Sequence, residues 1–283
     1  MTPLKTMPFG KNGPEVTITG LGGEGVLRTR GQHVRARQVI EEAASQGIGY
    51  FDSARAYEDS ERYLGSFWEE RPEQKAKVFQ TSKTGRRDYA GAWADLETSL
   101  ANLHTSRLDL WQIHDLRTWE DVETLEGPSG ALGAFREARK QGKAGRIGVT
   151  GHHDPAVLTY AVENWPVDSV LLPVNPVEGV LGGFLDGTLP AAREKGLAVI
   201  GMKVLGAGNY LASRAGITPE LLIRYALSWP VTLVIAGCSS PLEVLTLASL
   251  GRDFVPLPDG EARALEERFA PHARELAYYR GVL

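Results

Sequence analysis

Apolar residues fall in short unbroken runs along this chain. After each run comes a longer segment in which apolar positions recur every three or four residues. The runs lie at residues 16–21, 49–52, 78–82, 108–113, 147–150, 167–174, 198–204 and 232–237. Near-continuous apolar runs of this length predict strands buried on both faces. The stretches at 34–46, 60–70, 89–103, 131–141, 155–163, 185–195, 219–228 and 241–249 carry the period of an amphipathic helix. Asp154-Pro155 and Thr218-Pro219 each set a capping side chain before a proline at a first helical turn. Gly47, Gly142 and Gly196 lie just past helical patterns, where a left-handed residue closes a helix.

Alternating strand and helix leaves two α/β architectures, a closed (β/α)8 TIM barrel and an open doubly wound sheet. Eight units favour the barrel. Residues 7–14 predict a turn between two short strands, an N-terminal β-hairpin that would cap the barrel bottom. Residues 259–277 predict an extra C-terminal helix. With no linker and no low-complexity segment, residues 1–283 are expected to form one domain.

Composition narrows the partners. The net charge of −4 comes from 31 basic and 35 acidic residues, well mixed, which disfavours a nucleic-acid partner. Cys238 is the only cysteine, so neither an intrachain disulfide nor a cysteine metal cluster is expected. His152 and His153 are adjacent and point apart, so no metal site is expected there either. No apolar run approaches the ~20 residues of a membrane span, and residues 1–10 lack a signal-like core. The expectation is a cytoplasmic monomer or weak oligomer acting on a small molecule.

Three ionisable residues close three successive strands: Asp52, Lys83 and His114. In a barrel their side chains would converge on the C-terminal face, with Tyr57 in the loop after Asp52. Singly, each has a commonplace role as a cap, a solvated cation or a packed ring. Together they make a proton-delivering site. A tyrosine can protonate a nascent alkoxide if its pKa is brought down from about 10. Lys83 would do this, held charged by Asp52. A neutral His114 would donate to the carbonyl oxygen.

These residues carry a resemblance. Gly49-Tyr50-Phe51-Asp52-Ser53-Ala54-Arg55-Ala56-Tyr57 resembles the G-x-x-x-D-S/T-A-x-x-Y signature of the aldo-keto reductase family. Thr81-Ser82-Lys83, Leu108–Ile113 with His114, and Arg146-Ile147-Gly148-Val149-Thr150 resemble further motifs of that family, in order. The resemblance implies a (β/α)8 barrel that binds NADP(H) across its top and reduces aldehydes and ketones. It makes Tyr57 the general acid, Asp52 and Lys83 its tuning pair, and His114 the carbonyl-orienting group.

The cofactor site is expected in the loops after the seventh and eighth strands, where phosphates bind in barrels. Candidates are Lys203, Val204, Leu205, Gly206 and Gly208, then Gly237, Cys238 and Ser239. Gly22 and Gly23 are expected to let the cofactor approach the first loop. Gly20 to Gly25 also fits G-x-G-x-x-G, but no helix pattern follows to support a Rossmann reading. NADP-specific relatives carry Lys-Ser at the positions of Gly237 and Cys238 and Arg at that of Glu243. The carboxylate here would repel a 2′-phosphate and suit a ribose diol, which makes NAD(H) an alternative cofactor. The family's Ser-Asn pair for the carboxamide appears as Thr150-Gly151, its Gln as Leu171 and its stacking Tyr as Met202. Asn175 is therefore expected to contact the carboxamide. The short tail after Tyr278 predicts an open pocket, and Trp119, in an expected loop at 117–129, is a candidate for its mouth. Two other readings are a cofactor-binding sensor with little turnover and an unrelated barrel lyase or isomerase.

Overall fold

The computed structural model describes residues 2–211 and 216–283. Among the described residues there are ten strands: β1 Thr6–Pro8, β2 Glu15–Thr17, β3 Thr19–Gly25, β4 Tyr50–Phe51, β5 Phe79–Thr84, β6 Leu108–Ile113, β7 Ala144–Thr150, β8 Ser169–Pro173, β9 Ala198–Met202 and β10 Leu233–Cys238. β3 to β10 close a parallel barrel in chain order, β10 returning to pair with β3. The first α-helices are α1 His33–Ser45, α2 Ser60–Glu70, α3 Pro72–Lys75, α4 Tyr89–Asn102, α5 Trp119–Glu126, α6 Ala131–Lys140 and α7 Pro155–Asn164. They are followed by α8 Pro176–Leu181, α9 Leu189–Glu194, α10 Pro219–Ser228, α11 Pro241–Asp253, α12 Asp259–Phe269 and α13 Ala273–Leu276. The structure is the (β/α)8 barrel that the alternation predicts, with an N-terminal hairpin and helical C-terminal additions.

The first expected strand is corrected. Its apolar run is split at Ile18: Val16 pairs with Met7 in the β1–β2 hairpin, while the barrel strand begins at Thr19. The glycine-rich stretch is that strand. A side chain at Gly22 would stand 3.0 Å from the backbone of Ala236 and Gly237. Close approach of β10 therefore dictates glycine where β propensity does not.

The hairpin plugs the barrel. Phe9 and Val16 pack with Tyr50, Phe79, Leu110, Leu171, Ile200 and Leu233 inside the strands. The Phe9 ring lies 4.7 Å from that of Phe79, which stacks on Tyr50 at 5.5 Å. Leu171 is thus a barrel-interior residue.

Three further segments differ from their patterns. The expected loop after β6 contains α5, capped by the Thr118 hydroxyl accepting from the Asp121 N–H at 3.2 Å. The helix expected at 185–195 is a π turn, Phe184–Thr188, followed by α9. The C-terminal helix expected at 259–277 is broken at Ala270–His272, because Pro271 cannot continue the α-helical ladder. No helix among the described residues is long and apolar enough to cross a membrane.

Candidate active site

The parallel register places the ends of β4, β5 and β6 side by side. Phe51 pairs with Gln80, and Lys83 with Gln112, so Asp52, Lys83 and His114 rise on the same face of the barrel. Lys83 and Asp52 are sealed from solvent. Lys83 Nζ donates to Asp52 Oδ2 at 2.6 Å and to the Ser53 carbonyl at 2.8 Å. Asp52 Oδ1 accepts from the Thr81 hydroxyl at 2.9 Å. Burial holds the Lys83 ammonium below its ordinary pKa, against the opposing pull of Asp52.

Behind this pair lies a carboxylate that the sequence reading passed over. Glu61 is buried, accepts from the Ser82 hydroxyl at 2.6 Å and pairs with Arg55 at 2.6 Å. It ties α2 to β5 one residue before Lys83. Its only signal was an acidic residue in the first turn of the predicted helix at 60–70.

The chain folds Tyr57 over the pair through a turn in which its N–H donates to the Ala54 carbonyl at 3.0 Å. Lys83 Nζ stands 4.7 Å from the ring centroid. The His114 ring meets it edge-on at 5.4 Å. Gly23 is where it is for this ring, since a Cβ there would lie 2.5 Å from Tyr57 Cδ2. Gly22 and Gly23 are therefore strand residues making room for β10 and for Tyr57, not loop residues. Arg28, from the turn after β3, covers the Tyr57 ring with Cζ 5.2 Å from its centroid.

The electrostatics correct one expectation. Burial drives the Tyr57 phenol well above its ordinary pKa, reinforced by Asp52, Glu24 and Asp115. Arg28 opposes that rise, and Lys83 stands beneath the ring held by Asp52. Burial and then Lys83 lower His114 to about 3, so its imidazole is neutral, as its expected role requires. Arg87, also unremarked in the sequence, fixes the His114 backbone. It donates to the His114 and Asp115 carbonyls at 2.9 and 2.6 Å and grips Asp121 of α5.

Several cofactor candidates are engaged otherwise. Thr150 accepts from the Asp115 N–H at 2.8 Å and is buried. Gly151 packs against the Leu116 carbonyl and Leu158. Asn175 caps α8, accepting from the Glu178 N–H at 3.0 Å, and donates to the Lys203 carbonyl at 3.2 Å and the Tyr279 hydroxyl at 3.0 Å. Fully buried, with both amide hydrogens taken, it has no carboxamide contact to offer in this arrangement. Gly237 faces the backbone of Glu24, where a Cβ would stand 2.6 Å away, so it serves the β3–β10 seam. Cys238 is buried and its thiol is pushed up to about 12, first by burial and then by Glu243, which makes it unreactive.

The loop after β9 is built differently. Met202 ends that strand, half-buried over the barrel interior, and Val204 and Leu205 lead into a tight turn. Lys203, Gly206, Ala207 and Gly208 all have positive φ, turning the backbone so that residues 207–209 are exposed. Such a turn with a lysine suits an anion. The other expected anion site is already filled. Glu243 folds back onto the start of α11, accepting from the Ser239 N–H at 2.7 Å, while Ser240 caps the helix.

The tail packs onto loops at the top of the barrel. The Tyr279 hydroxyl donates to Glu178 Oε1 at 2.7 Å, and Arg280 forms a buried ion pair with the same carboxylate. Gly281 lies flat on the His153 ring, and its N–H donates to the His153 carbonyl at 3.0 Å. His152 lies between Asp115, 3.3 Å from its Nε2, and the Tyr279 carbonyl, 3.2 Å from its Nδ1. The last residues thus strap the loops after β7, β8 and β9. Trp119 is half exposed and packs edge-on against Tyr160 at 5.3 Å. Among the described residues, no group of three or more His, Cys, Asp or Glu is placed to hold a metal ion.

Residues 19–216 match the model of the aldo/keto reductase family. An aldo-keto reductase of Bacillus halodurans, in its holo form, has a TM-score of 0.73 at 20% identity, covering 99% of this chain and 98% of that one. A Klebsiella pneumoniae aldo/keto reductase, solved in complex with NADP and acetate, has a TM-score of 0.74 at 21% identity, covering 94% and 96%. A Bombyx mori aldo-keto reductase in complex with NADP has a TM-score of 0.71 at 19% identity, covering 94% and 93%. At these identities the likeness carries the fold. No curated protein matches the chain.

Proposed function

The chain belongs to the aldo/keto reductase family, and from that premise we propose that it reduces aldehydes or ketones to alcohols with a nicotinamide cofactor. One observation carries the reading: a sealed Lys83–Asp52 pair lies beneath a tyrosine whose hydroxyl makes no hydrogen bond among the described residues, beside a neutral histidine.

The residues fit a nicotinamide dinucleotide at one end and resist a variant of it at the other. The positive-φ turn at Lys203 and residues 206–208 presents backbone and charge to a pyrophosphate. The start of α11, where a 2′-phosphate would seek backbone donors, is occupied by Glu243. We therefore assign use of NADH alongside NADPH. When bound, the reduced nicotinamide supplies the hydride.

The chain's own residues do the rest. His114 donates to the carbonyl oxygen and fixes its direction. The Tyr57 O–H bond breaks as the product O–H bond forms, leaving a phenolate over Lys83. Asp52 keeps that lysine in place through a buried hydrogen bond. Arg87 and Glu61 hold the strand ends that carry His114 and Lys83.

The test is oxidation of NADPH and NADH with para-nitrobenzaldehyde by the parent protein and by Tyr57→Phe. The expected result is turnover in the parent and a loss of at least about 100-fold in the variant, the usual weight of a positioned general acid. Equal rates in the two proteins would remove Tyr57 from the mechanism.

A further inference from the structure

Two cations lie against the ring of Tyr57, and the mechanism above uses only one of them. Lys83 Nζ is 4.7 Å from the ring centroid, but Asp52 and the Ser53 carbonyl hold it. Arg28 is 5.2 Å from the centroid on a half-exposed side chain. It pairs with Glu24 at 2.7 Å, one turn earlier, in an exposed ion pair. From this geometry we infer that Arg28 is a positioning residue for the Tyr57 proton, supplying the cation that steadies the phenolate, with Glu24 as its counterweight. The inference rests on the reading of Tyr57 as the proton donor.

The surroundings of the ring support the division of labour. Asp52 faces it from the end of β4, Lys83 from β5, His114 and Asp115 from the segment after β6, Glu24 from β3 and Arg28 from the turn beyond. His114 is neutral. Lys83 and Asp52 are locked to each other at 2.6 Å in a sealed pair, and Asp52 pushes the phenol up. Asp115 is drawn to Arg117 at 2.6 Å and to His152. The neighbouring Glu58 is turned to Arg30. That leaves Glu24 and Arg28 as the adjustable charges. Arg28 is the cation that pulls the phenol down against burial, and Glu24 pushes it up.

The geometry also explains the placement of the pair. Glu24 and Arg28 lie four residues apart across the short turn Val26–Arg28, and Gly25 between them has a φ of 71°. A Cβ at Gly25 would stand 2.5 Å from the Cys238 carbonyl, so the turn is fixed against β10. The two charges are held at the rim of the site by a rigid corner, not by a mobile loop.

In the step concerned, the Tyr57 Oη–H bond breaks and the product alcohol O–H bond forms. The electron pair stays on the phenolate, which later takes a proton from water. A cation about 5 Å from the charge, close to the 5.2 Å at which Arg28 stands from the ring centroid, changes such an ionisation by about half a pH unit in a water-like medium, more where water is excluded.

The experiment places a fluorinated tyrosine, whose phenol titrates lower than tyrosine's, at position 57 and follows its ionisation by fluorine NMR. The parent, Arg28→Gln, Arg28→Lys and Glu24→Gln are compared. The midpoint is expected to rise by about half a pH unit or more in Arg28→Gln, fall in Glu24→Gln and return near the parent in Arg28→Lys. An unchanged midpoint in Arg28→Gln, or shifts of the same sign in Arg28→Gln and Glu24→Gln, would overturn the inference. In parallel, kcat for para-nitrobenzaldehyde is expected to fall in Arg28→Gln with KM held. Absence of turnover in the parent would end the reductase reading, while the titration would still decide what Arg28 does to the phenol.

Discussion

Lys83 Nζ lies 2.6 Å from Asp52 Oδ2, and neither side chain reaches solvent. Such a pair is weak evidence of stability but very sensitive to the loss of one partner. Asp52→Asn leaves a buried ammonium facing an amide, and should destabilise the protein by about 3 kcal/mol. The double variant Asp52→Asn with Lys83→Met removes the stranded charge and should recover part of that loss. Urea unfolding of the two variants measures both. A double variant no more stable than Asp52→Asn would mean that the pair is not an isolated electrostatic unit.

His114 gives stability a pH dependence of definite sign. Its pKa in the folded chain is about 3, against 6.5 for a free histidine. The unfolded chain therefore takes up a proton that the folded chain refuses. Stability from this group is fully present above 6.5 and is lost as pH falls from there towards 3. Between about pH 7 and about pH 5 the loss should be about 1–2 kcal/mol. His114→Gln, which cannot titrate, should show a flatter profile by that amount in urea unfolding at the two pH values. An identical slope in the variant would place the acid sensitivity elsewhere.

Glu243 connects an observed contact to cofactor choice. Its carboxylate accepts from the Ser239 N–H at 2.7 Å, at the end of α11 where a phosphate would be favoured. Replacing it with lysine frees the donor and reverses the charge. The ratio of kcat/KM for NADPH to that for NADH should rise by about tenfold or more in Glu243→Lys. Steady-state kinetics with each cofactor below saturation measures the ratio. A ratio unchanged from the parent would separate Glu243 from the adenosine end of the cofactor.

The sequence revealed some of this arrangement and concealed the rest for physical reasons. The strand Leu108–Ile113 and the helices Ser60–Glu70 and Pro219–Ser228 have the bounds their patterns predict, because each carries a clear period and a definite end. Asp52, Lys83 and His114 were readable because strand ends converge in a barrel. Thr19–Gly25 was not readable as a strand, since its four glycines answer to the crowding by Tyr57 and β10, which only the fold creates. α5 hid in a polar stretch whose helical signal is the Thr118 cap and two acidic residues in the first turn. Asn175 was misread because an asparagine after a strand serves a helix cap as readily as a ligand. Arg28 and Arg87 act across long sequence distances, and no local pattern marks them.

The two neighbouring glycines of β3 offer the sharpest separation of fold from chemistry. A Cβ at Gly22 would meet the Ala236 and Gly237 backbone at 3.0 Å, a seam between strands that cannot give way. A Cβ at Gly23 would meet Tyr57 Cδ2 at 2.5 Å and Cε2 at 2.8 Å, the face of a side chain that can move. Gly22→Ala should therefore lower stability by about 1–3 kcal/mol, the usual cost of overpacking. Gly23→Ala should push the Tyr57 ring off Lys83 and His114, and misplacement by about 1 Å costs on the order of 100-fold in rate. Thermal unfolding and kcat with para-nitrobenzaldehyde, measured on both variants, test the contrast. Parent-like turnover in Gly23→Ala would show that the ring position fixed by β3 is not the one that transfers the proton.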